Sequence, residues 1–238
     1  MSTESFLYKK QIAVNDYISV SIPTVGDILD NEAAYYGLVS IVTAMPIDMM
    51  VLLDDAGIDF TSIDEWELFL LMFGGLKSQD THLVFGELDL SKFQLAVNEQ
   101  NGHVILLDSE HDIVIDRAIH SQAANILRKI HHLKRNLHKP ANEEAKKFMI
   151  ERARAKQRRN SSRTENSQLE TLIVAMVNTE QYKYDFESTK GLSIFQFNEC
   201  VRQIINKVDY EHRMYGVYTG TINAKELSQD ELNWLKHK

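Results

Sequence analysis

Three histidines lie close together in this sequence, at His131, His132 and His138, and histidine is a common metal ligand. Neighbouring residues on a helix point about 100° apart, so His131 and His132 cannot easily face one ion. The charge around them is positive, which opposes a bound cation. The sequence therefore predicts a solvated basic helix face here and no metal site.

An acidic corner formed by Asp54, Asp55 and Asp59 surrounds Gly57. An EF-hand needs oxygen ligands at regular alternation and a glutamate at its twelfth position, and this spacing is absent. We therefore interpret the three aspartates as helix caps and solvated turn residues.

A second mixture of acids and histidines runs from His111 and Asp112 to Asp116 and His120. These residues could form an acid–base pair, but no Ser or Cys nucleophile stands in a recognisable elbow. We assign them strand-end and helix-cap roles. Cys200 follows the same logic, because it lies on a predicted apolar helix face and is expected to be a small core residue.

Phosphate-binding loops of the GxxxxGK[ST] or GxGxxG type are absent, and a single cysteine excludes both an internal disulfide and a zinc ribbon. No catalytic residue, metal ligand or cofactor site is therefore predicted. The sequence indicates a protein that binds other macromolecules and is not an enzyme.

The strongest binding signal is the charge of residues 128–163, which hold 13 Lys or Arg against three acids, a local charge of +10. The whole chain carries −8, so the rest carries −18. The basic residues could bind nucleic acid, could bind acidic surfaces on sister subunits or a client helix, or could form a plain solvated linker. Nucleic acid is disfavoured, because no aromatic residue is interleaved for base stacking and the acidic remainder repels phosphate. The candidate contact residues are Arg152, Arg154, Arg158 and Arg159.

The elements that carry these residues are expected to be mostly helical, because the chain has only 3 Pro and 10 Gly. Alternating apolar residues predict a hairpin that turns at Asn15-Asp16, and a type I′ turn is expected at Asn101-Gly102. Short strands are predicted at 82–88, 93–97, 104–107 and 113–115. Helices are predicted to begin at Thr24, Pro46, Asp64, Asp116 (to about 138), Asn142 (to about 159), Leu169 and Ser193, with Gly74-Gly75 stopping or bending one helix and Gly216 and Gly220 in a loop.

The fold class that follows is α+β and predominantly helical. We predict an N-terminal helical domain with small β-hairpins at 1–139, a basic helix and polar linker at 140–167, and a small C-terminal helical domain at 168–238. The apolar stretch 36–53 is broken by Pro46 and Asp48, so we expect a pair of core helices and no membrane span. The single cysteine and the absence of an apolar signal-peptide core fit a reducing cytosol.

Five stretches carry a resemblance to a known family: IPTVGDILDNEAAYYGLVSIVTAMPIDMM and its continuation to position 69, FGELDLSKF, IVIDRAIHSQAANILRKIH, residues 169–204, and YGVYTGTINAKELSQDELNWL. Together they cover almost the whole chain. The chain resembles tail assembly chaperones of tailed phages that infect Gram-positive bacteria.

This resemblance implies a protein of the infected host cytoplasm that is absent from the mature virion. Its partners would be the tape-measure protein and possibly the tail tube protein, with possible self-association. The family supplies no catalytic residues. Two alternatives stay open, a minor structural tail or tail-tip component and a nucleic-acid-binding regulator that uses the basic segment.

A chaperone for a long amphipathic helix needs an apolar groove. Trp66, Phe69, Met72 and Phe73 have helical spacing and could line one, and Met45, Met49 and Met50 would add adaptable surface. Ordinary core packing is the alternative for each. Trp234 near the C-terminus is expected either to fold back on its own domain or to dock into a neighbour.

Overall fold

The computed structural model describes residues 5–160 and 167–235. Over this part of the chain it has ten α-helices and two small antiparallel sheets, and it is 54% helical. The α+β, mainly helical class predicted from the sequence is confirmed. Arg163 and most of the predicted polar linker lie outside the described residues.

The helices are α1 (Val25–Leu29), α2 (Glu32–Thr43), α3 (Met50–Asp55), α4 (Glu65–Leu76), α5 (His82–Phe85), α6 (Arg117–His131), α7 (Glu143–Asn160), α8 (Gln168–Val177), α9 (Phe186–Lys190) and α10 (Ile194–Tyr218).

One sheet is a two-stranded hairpin, and the other is a three-stranded meander. Strands β1 (Gln11–Ala13) and β2 (Ser19–Ser21) pair antiparallel, and the Asn15 side chain accepts hydrogen bonds from the backbone N–H of Tyr17 and Ile18. The predicted turn at Asn15-Asp16 is thus confirmed. Strands β3 (Gln94–Val97), β4 (Val104–Asp108) and β5 (Ile113–Ile115) form an antiparallel sheet in sequence order.

The predicted helix starts are borne out by their caps. Thr24 and Asp64 each accept a hydrogen bond from a backbone N–H of the first turn, and the N3 acid returns one in a capping box. Asp116 and Ser193 cap α6 and α10 in the same way through their side chains.

The main core lies between α2, α4, α6, the β1–β2 hairpin and the beginning of α10. Tyr35, Leu127 and Phe197 are almost fully buried in it. Ile194 donates its backbone N–H to the Pro23 carbonyl at 2.9 Å, so α10 begins directly against the N-terminal part. Residues of α8 contribute to the same core through Leu169 and Ile173.

Two predictions about strands and turns are wrong. Residues 82–85 form a short helix because Asp80 accepts from the His82 N–H at 2.9 Å and the Thr81 carbonyl accepts from Phe85 at 2.8 Å. The Asn101-Gly102 turn is not type I′, because only Gly102 has a positive φ, of 71°. Residues 98–103 instead form a longer connection between the paired Val97 and Val104.

Two predicted helix boundaries are also wrong, and the predicted stop or bend at Gly74-Gly75 lies one residue before the observed end of α4. Helix α4 continues through Gly74-Gly75 to Leu76, and α10 continues through Gly216 to Tyr218. Tertiary packing tolerates these glycines, since each costs only about 1 kcal/mol in a helix. Helix α6 ends at His131 and not near 138, because His132 adopts the left-handed conformation with φ 53°.

Candidate helix-binding surface

The predicted groove residues on α4 separate onto two faces. Trp66, Phe69 and Phe73 are buried in the main core, at 5%, 3% and 3% exposure. Phe69 and Phe73 do not line an open groove, because the tertiary fold closes over this face of the helix, whereas Trp66 also lines the cleft described below. Met72 lies on the other face and packs against a second apolar cluster. A role for the three aromatic residues in partner binding stays a prediction.

That second cluster is rich in methionine, and we call it the methionine cluster. It is built by the 3-10 helix Pro46–Met49, α3, the loop before α4, the outer face of α4, and α7. Methionine side chains are flexible and polarisable, so they adapt to different apolar partners. Its buried members are Ala44, Met45, Ile47, Leu53, Phe60, Leu68 and Ile150, with Met49, Met50, Ile58, Ile63, Met72 and Met149 packed around them.

Helix α7 covers the methionine cluster. Asn142 starts the helix by accepting from the Ala145 N–H at 2.8 Å, and good helix formers continue it. Ile150 is its one buried side chain, at 8% exposure, whereas Phe148 is 64% exposed. Burying one isoleucine contributes about 1.5–3 kcal/mol. The contact that holds α7 is therefore small for a helix of 18 residues.

An acidic rim of Asp54, Asp55 and Asp59 borders the methionine cluster and contacts the basic side of α7. Lys146 Nζ lies 2.9 Å from Asp59 Oδ2, and Arg154 Nη2 lies 2.9 Å from Asp54 Oδ2 and also contacts Asp55. The hydrogen bond from Lys146, aided by Thr61, lowers the pKa of Asp59 to about 2. The aspartates predicted as caps and solvated residues are thus also ion-pair partners.

The candidate basic residues of α7 have different surroundings. Arg154 is half-buried in its contact with α3, while Arg152, Arg158 and Arg159 are exposed. Paired with Asp54 and Asp55, Arg154 has a raised pKa. Lys146 and Arg154 contact aspartates of the same chain. These intramolecular pairs do not test the three interpretations of the basic segment, which stay predictions.

An ion-pair network of the buried Arg128 and Glu65 with Arg135 lies beside the methionine cluster and connects α6 to α4. Arg128 Nη2 donates to Glu65 Oε1 and to the Thr43 carbonyl, both at 2.6 Å, and Arg135 donates to Glu65 Oε2 at 2.6 Å. Arg128 and Glu65 are 5% and 7% exposed. Sequence inspection missed this group, because Glu65 has the ordinary signature of an acid in the first helical turn.

A cleft of about 560 Å³ continues from the methionine cluster. Met45, Ile47 and Phe60 line both, and residues 135–140 form the opposite wall. His120 also lines the cleft, and its Nε2 has no hydrogen-bond partner within the described ranges. Burial lowers the His120 pKa to about 4, so the ring is neutral at pH 7.

The histidines considered as metal ligands have separate partners. His131 Nε2 lies 2.9 Å from the Tyr35 hydroxyl, and His132 Nε2 lies 3.5 Å from Glu199. His138 lines the cleft. These three side chains are therefore not gathered around one point.

Another set of oxygen and nitrogen atoms comes together at the β4–β5 turn. Ligand atoms of Asp108, Glu110 and His111 lie within 4.8 Å of one another. His111 Nδ1 is 2.7 Å from Asp108 Oδ2, and Lys92 Nζ is 3.0 Å from Glu110. These contacts are typical of a turn that its own side chains stabilise, which agrees with the strand-end role predicted for His111.

The C-terminal segment folds back along α10. Arg213 donates to the Glu231 carbonyl at 3.1 Å, and Trp234 is half-buried beside Ile204 and Lys207. Trp234 thus packs on its own domain in this chain, and its docking into a neighbouring molecule stays a prediction.

Comparison with known proteins finds a match for one part of this chain. Residues 158–238, about a third of the chain, match a family model described as the YomV second domain. No curated protein and no solved structure matches the chain. The match suggests a phage-type protein family, in line with the resemblance in the sequence. Among the described residues, no helix is long and apolar enough to span a membrane.

Proposed function

We propose that this chain is a non-catalytic phage tail assembly chaperone that binds helices of the tape-measure protein and supports assembly of the tail tube. The observation that carries the proposal is the methionine cluster, an adaptable apolar surface that receives a helix through Ile150. Its acidic rim pairs with basic residues of that helix. The match to a phage-type family supports the biological setting.

A helix-binding role suits the client, because a tape-measure protein is a long helical chain that must stay soluble before the tail forms. Apolar surface on such a chain is covered by burial in a partner groove. The same proposal includes action in the host cytoplasm, contact with the tail tube protein and self-association.

Co-expression tests the proposal. Tape-measure protein produced with this chain is expected in the soluble fraction and should co-purify with it. Tape-measure protein that stays insoluble with and without the chain contradicts the proposal.

Mass spectrometry of purified virions separates this role from that of a minor tail or tail-tip component. A chaperone is expected to be absent from finished particles. A fixed copy number in every particle means that the chain is a structural component.

Nucleic-acid binding is less well supported, because Lys146 and Arg154 already contact aspartates. A DNA- or RNA-binding regulator would show a basic face free of such competition and a strong salt dependence of binding. Retention on heparin that is lost when Arg152 and Arg158 are replaced by Ser would favour that alternative.

A further inference from the structure

Helix α7 has few apolar contacts of its own on the methionine cluster. Ile150 is its single buried residue, and Met149 packs at the edge of the cluster. The other side chains of the helix are mostly polar, so it lacks the apolar stripe that normally fixes a surface helix. Most helical stability in proteins comes from tertiary packing, so detachment of α7 from the cluster would also partly melt it.

We propose that α7 is an exchangeable occupant of this surface, and that an amphipathic helix of a client protein takes its place. The site would accept a helix with an apolar centre and a basic residue one turn before and one turn after it. The identity of the client rests on the proposed function. The existence of an exchangeable site does not.

The chemistry of the partner is defined by what α7 presents. Lys146, Ile150 and Arg154 are spaced by four residues, so they lie in line on one face of the helix. The isoleucine enters the methionine cluster, and the two basic residues reach Asp59 on one side and Asp54 on the other. A competing helix needs the same basic–apolar–basic order to keep these contacts.

The surface also has room that α7 does not use. The cleft of about 560 Å³ shares Met45, Ile47 and Phe60 with the methionine cluster, yet none of its lining residues comes from α7. A client helix with further apolar residues would extend into this cleft. Such a helix would bury more apolar surface than α7 does, and it would therefore displace α7.

The connection before α7 permits this exchange. Residues 133–140 have no helix or strand, and 133–139 are exposed. Two side-chain contacts hold this segment, from Arg135 to Glu65 at 2.6 Å and from Asn136 to Asp48 at 3.1 Å, and at its start the Leu133 backbone N–H donates to the Arg128 carbonyl at 2.9 Å. α6, α2 and α4 keep their mutual contacts when this segment moves, because their contacts lie in the main core.

Peptide binding to the full chain tests the inference. The probe is a fluorescent peptide with the sequence of residues 141–160, followed by anisotropy. The Ile150→Glu variant places a carboxylate against the cluster, and this releases its own α7. We expect this variant to bind the peptide at least tenfold more tightly than the unmodified chain does, which corresponds to about 1.4 kcal/mol.

The matched control is Phe148→Glu, which adds the same charge to the exposed side of α7. It should bind the peptide as weakly as the unmodified chain. A second peptide that carries Lys146→Glu and Arg154→Glu should bind the Ile150→Glu variant at least tenfold more weakly than the first peptide. Equal binding of the two peptides would overturn the requirement for basic residues.

An Ile150→Glu protein that still unfolds cooperatively and has lost only the helical signal of α7, yet fails to bind the peptide, overturns the inference. Should that variant not fold, Arg154→Glu in the full chain carries the test, because it repels Asp54 and leaves the apolar residues in place. It should bind the peptide severalfold more tightly than the unmodified chain, and unchanged binding counts against exchange. Peptide capture by chains that never solubilise tape-measure protein would refute the proposed function and leave the site established.

Discussion

His120 is buried and His131 is half-buried, and both are neutral at pH 7, because desolvation lowers the pKa of each ring to about 4. His120 stacks on Phe69 with ring centroids 4.3 Å apart, and His131 bonds to the Tyr35 hydroxyl at 2.9 Å. Both rings therefore contribute to packing against the main core, although a histidine seen only in the sequence suggests a catalytic role.

The buried histidines predict loss of stability in acid. An unfolded histidine titrates near pH 6.5, so between about pH 6.5 and pH 4 the unfolded chain binds more protons than the folded chain. Stability is full above pH 6.5 and falls as the pH approaches 4, by roughly 3 kcal/mol or less for His120 alone. Urea unfolding at pH 7 and pH 4.5 measures this loss.

The variant His120→Phe is the control for this effect, because it keeps an aromatic ring beside Trp66 and Phe69. It should lose less stability between pH 7 and pH 4.5 than the unmodified chain does, whatever its absolute stability. An identical pH dependence in both proteins would show that His120 does not bind the expected proton on unfolding.

The ion pairs between α7 and the acidic rim show which residue contacts can be predicted from the sequence and which cannot. Arg154 was a predicted contact residue, and Asp54 and Asp55 were noted as an acidic corner. Their pairing joins residues about 100 positions apart. Local patterns carry no information on such pairs, so the partners had to come from the tertiary structure. The same holds for Arg128 and Glu65.

At the scale of elements, α7 is expected to be the least stable long helix of the N-terminal part. It buries one isoleucine, whereas α6 buries Ala124, Leu127 and Ile130 almost fully. Opening of α7 should therefore cost about 1.5–3 kcal/mol, and opening of α6 should need global unfolding. Hydrogen exchange with mass spectrometry measures both.

The expected result is amide protection of roughly 10- to 100-fold in α7 and at least 100-fold more in α6. Added salt should lower the protection of α7 further, since Lys146 and Arg154 hold it through partly exposed ion pairs. Protection of α7 equal to that of α6 would mean that the helix is an integral part of the core and is not exchangeable.

The elements themselves were largely predictable where a side chain determines the boundary. Thr24, Asp64, Asp116 and Ser193 each start a helix, because their oxygens satisfy free N–H groups of the first turn. Helix ends were less predictable. His132 ends α6 in a conformation that usually belongs to glycine, so the sequence had no signal for it.

For the whole molecule, the charge separation of the sequence becomes an internal contact. Part of the basic segment lies on an acidic rim of the same chain. The C-terminal residues Ile194 and Phe197 share the main core with Tyr35 and Leu127. The predicted domain limits stay a prediction, but these buried contacts couple the C-terminal helices to the N-terminal part.

This coupling makes a test with one reporter on each side possible. In a Trp234→Phe background, Trp66 is the only tryptophan, and it reports unfolding of the N-terminal part. Phe197 lies far along the chain on α10 and is fully buried. Phe197→Ala should lower the free energy of unfolding by about 3–5 kcal/mol and the Trp66 melting midpoint by roughly 6–20 °C, because the substitution leaves a cavity in a shared core.

Phe186→Ala is the control, because it removes the same ring from a half-exposed position and should change the midpoint little. If the C-terminal helices unfolded on their own, Phe197→Ala would leave the Trp66 transition where it is, and circular dichroism would show an earlier, separate step.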